Sequence, residues 1–239
     1  MGIDTHTILP RLLTTRPLAD ATIQEAKKRG VEISTLSFID TAPIHTAEII
    51  EEIQAALLMS TTVVFTSMNA VESVVEIMQD QQPDWQIYCI GQTTKTLIEK
   101  YFGEERIIGT ADNAVALADR IIEDELSDEV IFFCGDQRRP ELPDMLFAAG
   151  ILVTEIVVYE TIPVHHKLNQ SFAGVLFYSP SAVESFFVNN KLDPRTLVFA
   201  IGDTTATTIR KFCSNKIILA DKPGKEGLAK KAIDILALN

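Results

Sequence analysis

Two clusters of hydroxyl and glycine residues, and one tyrosine, carry the chemistry that this sequence offers. The run VVFTSMNAVES sets Thr66, Ser67 and Asn69 just beyond a β-like stretch, and IGQTT sets Gly91 and Thr93 beyond the next. VLFYSPSAVES repeats the first pattern 112 positions later with Ser179, Pro180 and Ser181. IGDTT repeats the second with Gly202, Thr204 and Thr205. Hydroxyls and unpaired N–H groups at helix starts can hold an anion, to which the helix dipole adds ~0.3–1 kcal/mol. Tyr159 ends the run IVVYET. With a reference pKa of about 10, a phenol stays protonated at neutral pH and can donate to a departing oxygen. Helix capping accounts for each Ser, Thr or Asn taken alone, and a capped amide is less free to bind. Packing accounts equally for a strand tyrosine. The doubling is what suits a large ligand held by two such mouths.

Within these clusters, Asn69-x-x-Glu72 and Ser181-x-x-Glu184 read as helix N-caps, the second as a capping box. Gly91 and Gly202 read as tight strand-to-helix turns. Arg16, Arg138 and Arg139 would assist an anionic ligand if they face it. Other chemistry is absent from the pattern. No dinucleotide glycine motif, P-loop or nucleophile elbow occurs. Cys89, Cys134 and Cys213 are odd in number and widely spaced within apolar runs, which reads as buried free thiols in a reducing cytoplasm. His6, His45, His165 and His166 share no ligand spacing with them, so no metal is expected.

The 21 basic and 33 acidic residues leave a net charge of −12, which argues against nucleic acid as a partner. It does not exclude a small anion, because diffuse charge is screened beyond ~8–10 Å while directed donors act at contact. No apolar run is long enough to span a membrane. MGIDTHTILP lacks the pattern of a secretory leader, and Thr7 stands one place too late for a myristoylation start at Gly2. A cytoplasmic monomer is expected, without a cofactor.

Ten short apolar runs (8–14, 31–36, 62–67, 86–91, 106–109, 129–135, 152–159, 174–179, 196–202 and 216–220) alternate with nine stretches of helical period. That alternation predicts an α/β fold with parallel sheets. The repeat extends well beyond AVES. IYCIGQTTKTLIEKYF (87–102) matches VFAIGDTTATTIRKFC (198–213), and residues 14–41 resemble 134–161. A repeated unit of half the chain implies two similar domains. The order of the echoes predicts a discontinuous domain, 1–38 with 163–239, and an inserted one, 42–160. Paired strands would join them near Pro43 and Pro163. In open parallel sheets ligands bind beyond the carboxyl ends of the strands, where both clusters fall.

FTSMNAVES, IGQTT, LPDMLFAAGILVTEIVVYET, FYSPSAVESFF and IGDTT, in this order, resemble the uroporphyrinogen-III synthase family across almost the whole chain. The resemblance implies two flavodoxin-like domains with the active site between them. It implies closure of hydroxymethylbilane, a linear tetrapyrrole with eight carboxylates, into a macrocycle, with the last pyrrole ring inverted and water lost. No cofactor is implied. The family's hydroxide-assisting tyrosine falls on Tyr159, its turn threonine on Thr204 or Thr205, and its strand-end hydroxyls on Thr66–Ser67 and Ser179–Ser181. Tyr178 departs from the threonine common there. The residue pattern taken without the resemblance also accommodates a non-catalytic two-domain binding or sensor module for an anionic metabolite.

Overall fold

A computed structural model describes residues 9–222 and 224–237. Gly2, His6, Thr7 and the first residue of the expected opening strand, Ile8, lie outside the described residues. The chain forms two compact units, one running through Asp40 and resuming at Ile162, the other Thr41–Thr161.

The first unit is built from β1 (Arg11–Thr14), α1 (Asp20–Lys28) and β2 (Glu32–Thr35). After the second unit it resumes with β9 (Gly174–Phe177), α7 (Pro180–Asn189), β10 (Leu197–Ala200), α8 (Asp203–Arg210), β11 (Ile217–Leu219) and α9 (Lys225–Leu236). Its sheet has the order β11-β10-β9-β1-β2, all parallel. The second unit contains α2 (Ala47–Leu57), β4 (Thr61–Phe65), α3 (Met68–Met78), β5 (Trp85–Ile90), α4 (Gln92–Phe102), β6 (Ile107–Ala111), α5 (Ala114–Asp124), β7 (Glu129–Gly135) and α6 (Glu141–Ala148). The strands that bracket it, β3 (Ile39–Pro43) and β8 (Leu152–Pro163), complete a sheet of order β3-β8-β7-β4-β5-β6.

Setting β3 aside, the two sheets have one spatial order. β8-β7-β4-β5-β6 corresponds strand for strand to β2-β1-β9-β10-β11, with the chain entering at a different point. This permutation is why the echo between 14–41 and 134–161 runs the opposite way round the chain from the others. In the first unit the order is 2-1-3-4-5, the flavodoxin-like arrangement, whose connections change direction between β1 and β9. The corresponding switch in the second unit lies between β7 and β4.

Apolar residues alternate along each strand because both faces are covered. In the first unit Leu12, Leu176 and Phe199 pack with α1 and α9, while Leu13, Val175, Phe177 and Val198 pack with α7 and α8. In the second, Val63, Phe65, Ile87, Ile131 and Phe133 face α2, α3 and α4, while Val64, Tyr88 and Phe132 face α5 and α6. The sole tryptophan, Trp85, is buried and donates its indole N–H to the Ala56 carbonyl at 3.0 Å.

The chain passes between the units through β3 and β8. Ile44 N–H donates to the Val158 carbonyl, and Val164 N–H to the Phe38 carbonyl, both at 2.9 Å. Residue numbers therefore rise on one strand as they fall on the other, and the pair is antiparallel. IDTAP has neither a sustained apolar run nor alternation to mark it as a strand by itself, and a strand was expected there only as part of the paired linker near Pro43. Its backbone pairing with β8 makes it one.

Candidate functional site

Ser67 and Ser179 cap the helices that follow β4 and β9, correcting the assignment to Asn69 and Ser181. The Ser67 hydroxyl accepts from Asn69 N–H, and that of Ser179 from Ala182 N–H, each at 3.2 Å. The strands stop at Phe65 and Phe177, so each serine falls at the extended N-cap position, with φ of −144° and −154°. Pro180 is then the first residue of α7, where its missing N–H costs nothing. Asn69 and Ser181 sit inside the first helical turns, half-buried, and the expected Ser181–Glu184 capping box is not formed.

The next helices differ. Gly91 and Gly202 are the N-caps of α4 and α8, and no side chain caps either. Their first-turn N–H groups are left to solvent or a ligand. Gly91 has φ +78°, a region that favours glycine, whereas Gly202 is extended at −173° and could be any residue on that ground. Both glycines thus stand in short strand-to-helix turns, but only at Gly91 does the backbone call for glycine. Thr93 and Thr204 are exposed, while Thr205 is buried at 3% exposure, so Thr204 presents the outward hydroxyl of its pair.

Tyr159 lies at the carboxyl edge of the second sheet, the edge that also carries Thr66, Ser67, Asn69, Gly91 and Thr93. At a strand spacing of ~4.8 Å, β8 is about 10 Å from β4 and about 14 Å from β5. A register shift places it. Cys134 pairs with Val157 but Gly135 with Tyr159, leaving Val158 as an extra residue. Such a bulge re-aims a side chain. Strict alternation would put Tyr159 with Val157 against α5 and α6; instead it packs with Ile156 and Val158 on the α2–α4 face. Two bonds from the following loop hold the bulge. Asp136 N–H donates to the Tyr159 carbonyl at 3.1 Å, and the Asp136 Oδ1 accepts from Thr161 N–H at 2.9 Å.

The Tyr159 ring lies directly on the Cα of Gly135. A methyl group there would sit 2.5 Å from Cε2 and 2.7 Å from the phenol oxygen, with Cζ closer still. The ring is half-buried, and the hydroxyl makes no hydrogen bond among the described residues. Gly135 and Asp136 were not singled out from the sequence. The glycine ending the strand EVIFFCG was the available signal, but its partner, 24 residues on, follows only from the bulged register.

In the first unit, Ser179, Pro180 and Ser181 follow β9, and Gly202, Thr204 and Thr205 follow the adjacent β10. On the other side of β9, the segment after β1 carries Arg16, exposed and with no side-chain hydrogen bond or ion pair among the described residues. Arg139 is likewise exposed and unpaired, but Arg138 forms a two-pronged pair with Glu155 on β8.

A hollow of about 560 Å³ opens beside Gly91, lined also by Gln92, Lys95, Asn113 and Arg120. A larger one, about 940 Å³, lies at the amino edge of the first sheet among Arg11, Phe172 and Arg195, where none of the expected residues reaches. Among the described residues no group of three His, Cys, Asp or Glu side chains is placed to hold a metal ion. None of the helices there is long and apolar enough to cross a membrane. Cys89 and Cys134 are buried and unpaired; Cys213, expected to be buried as well, is only half-buried.

A family model described as uroporphyrinogen-III synthase HemD matches residues 20–230. Among solved structures, the chain is similar to uroporphyrinogen-III synthetase from Helicobacter pylori, with 18% identity, a TM-score of 0.66, and 95% of this chain and 100% of that one covered. It is also similar to a mutant uroporphyrinogen III synthase from the extremely thermophilic bacterium Thermus thermophilus, with 14% identity, a TM-score of 0.57, and 96% and 99% covered. At these identities the two structures speak for the fold, and the family match, spanning most of the chain, speaks for descent. The chain belongs to the uroporphyrinogen-III synthase family, a family of cyclising lyases.

Proposed function

We propose that this protein closes hydroxymethylbilane to uroporphyrinogen III, inverting the last pyrrole ring and releasing water, as a cytoplasmic monomer without a cofactor. The family match over residues 20–230 carries this reading. Unassisted closure of the same substrate yields the uninverted ring, so the task is to present one carbon rather than its neighbour to the electrophile. That is catalysis by positioning, for which a held near-attack geometry can contribute ~7–11 kcal/mol. The candidates for holding the polyacid are the groups at the carboxyl edges of the two sheets. They are Thr66, Ser67, Asn69, Gly91 and Thr93 in the second unit, and Ser179, Pro180, Ser181, Gly202, Thr204 and Thr205 in the first. The uncapped starts of α4 and α8 support this assignment, because unpaired amides bind carboxylates.

Tyr159 is proposed as the donor to the departing hydroxyl, the C–O bond breaking as the proton moves to oxygen and water leaves. Its unbonded phenol at a carboxyl edge supports the role. The test supplies freshly made hydroxymethylbilane and resolves the uroporphyrin isomers after oxidation. Isomer III in enzymatic excess is expected. Isomer I alone, at the background rate, would overturn the activity, and tight binding without turnover would make the protein a binding module. Tyr159→Phe is expected to lower kcat by ~10²–10⁴, as for other general acids. Full activity in that variant would remove Tyr159 from the chemistry and leave the binding groups standing.

A further inference from the structure

The protein's net negative charge resides in one unit. Thr41–Thr161 holds 22 acidic and 6 basic residues, a net of −16, while the remainder holds 11 acidic and 15 basic, a net of +4. A polyanion therefore meets an attractive field only at the first unit, and a cleft lined by one sign of charge steers its ligand.

The same division recurs at the switch points, where open parallel sheets bind ligands. The matched segments 14–30 and 134–150 place Arg16 opposite Asp136, and the matched strands β9 and β4 place Tyr178 opposite Thr66. Asp136 is spent on the bulge, accepting from Thr161 N–H and from the Gln137 amide. Arg16 has no partner for its guanidinium among the described residues; its main chain is pinned by the Thr14 hydroxyl, which donates to the Arg16 carbonyl at 2.7 Å.

Tyr178 follows β9 immediately, half-buried beside Thr14 and the start of α9. Its hydroxyl lies 3.5 Å from Thr14 Oγ1 and 3.5 Å from the Lys225 carbonyl, both at the outer limit of a hydrogen bond. The phenol proton is thus available to a better acceptor. Burial pushes its pKa up to about 12, so it remains a donor. Glu226, the acidic side chain whose charge acts on the phenol, accepts from Ala19 N–H at 3.0 Å and from the Thr22 hydroxyl, at the start of α1.

Resting on the reading above, we propose that the first unit is the anion-capturing half, and that Arg16 with the Tyr178 hydroxyl holds a substrate carboxylate at the β1–β9 switch point. The second unit, with Asp136 in the corresponding place, is instead given to positioning Tyr159. Twin sheets have diverged by reversing one charge at equivalent strand ends.

The test measures fluorescence-detected binding of uroporphyrin I, a stable octacarboxylate, to the full chain across a salt series, and KM and kcat for hydroxymethylbilane. Arg16→Ala is expected to weaken uroporphyrin I binding and raise KM by about tenfold or more, as for loss of a charged hydrogen bond. The salt dependence should flatten while kcat and melting temperature hold. Arg16→Lys should recover part of the affinity, because it keeps the charge but not the planar fork. Tyr178→Phe should weaken binding by a smaller factor. Arg195→Ala makes the same change in net charge at the amino edge of the same sheet and should bind as wild type does. Unchanged binding in Arg16→Ala, an equal loss in Arg195→Ala, or an effect on kcat alone would each overturn the proposal. Failure of the wild-type protein to make isomer III would overturn the activity, while uroporphyrin I binding would still decide the role of Arg16.

Discussion

Alanine at position 135 tests how Tyr159 is held. The added methyl would lie 2.5 Å from ring carbon Cε2 and 2.7 Å from the phenol oxygen. Nonbonded carbons settle at ~3.5–4.0 Å, so the ring must move by about 1 Å. Overpacking of this kind costs ~1–3 kcal/mol. In a chain of this length each kcal/mol lowers the melting temperature by about 2–4 °C. Displacing a reacting group by about 1 Å can cost ~10²-fold in rate. Gly135→Ala should therefore lose roughly that factor in kcat for isomer III and melt several degrees lower. Gly109→Ala supplies the control, since its methyl would meet the buried Tyr88 ring at 2.5 Å in another part of the same sheet. It should destabilise comparably and keep its rate. In a Tyr159→Ala background the stability loss from Gly135→Ala should disappear, because the opposing ring is gone. A wild-type rate in Gly135→Ala would refute the dependence of turnover on the Tyr159 position. Persistence of the stability loss without the tyrosine would refute the steric account.

Two further perturbations read the local structure. In urea denaturation Ser67→Ala and Ser179→Ala should each lose about 0.5–2 kcal/mol as true N-caps, while Asn69→Ala and Ser181→Ala should stay within ~0.5 kcal/mol. Burial pushes the Cys89 and Cys134 thiols up to about 11, so the folded protein keeps protons that the unfolded chain releases near pH 8.5. The unfolded state then binds fewer protons, and stability should fall as pH rises from about 8.5 through about 11. A Cys89→Ala/Cys134→Ala variant should show a shallower decline. An aromatic disulfide reagent at pH 8 should label half-buried Cys213 first and the other two only on unfolding.

Much of the fold was legible because its signals are local. Apolar runs such as EVIFFCG and GVLF bury both faces of a parallel strand, and the periodic stretches between them match the helices to within a residue or two. The α/β class follows from that alternation, and the family from motifs in their order. Where the serines cap was misread, since the apolar pattern runs past the hydrogen-bonded ends of β4 and β9. β3 was expected only as part of a paired linker near Pro43, because its strand character comes from pairing with β8 and not from its own residues.

From the sequence alone came the twin α/β units, the strand-end hydroxyls, the interest of Tyr159 and the net charge. Local composition and repetition encode these directly. Tertiary structure decided that one extra residue in β8 turns Tyr159 onto the Gly135 face. It decided that Arg138 is consumed by Glu155 while the Arg16 guanidinium, at a switch point, has no partner among the described residues, and that Asp136 serves the backbone. These outcomes rest on register and on pairings between residues distant in sequence. A strand slipped by one position would send every side chain to the opposite face with no change in composition.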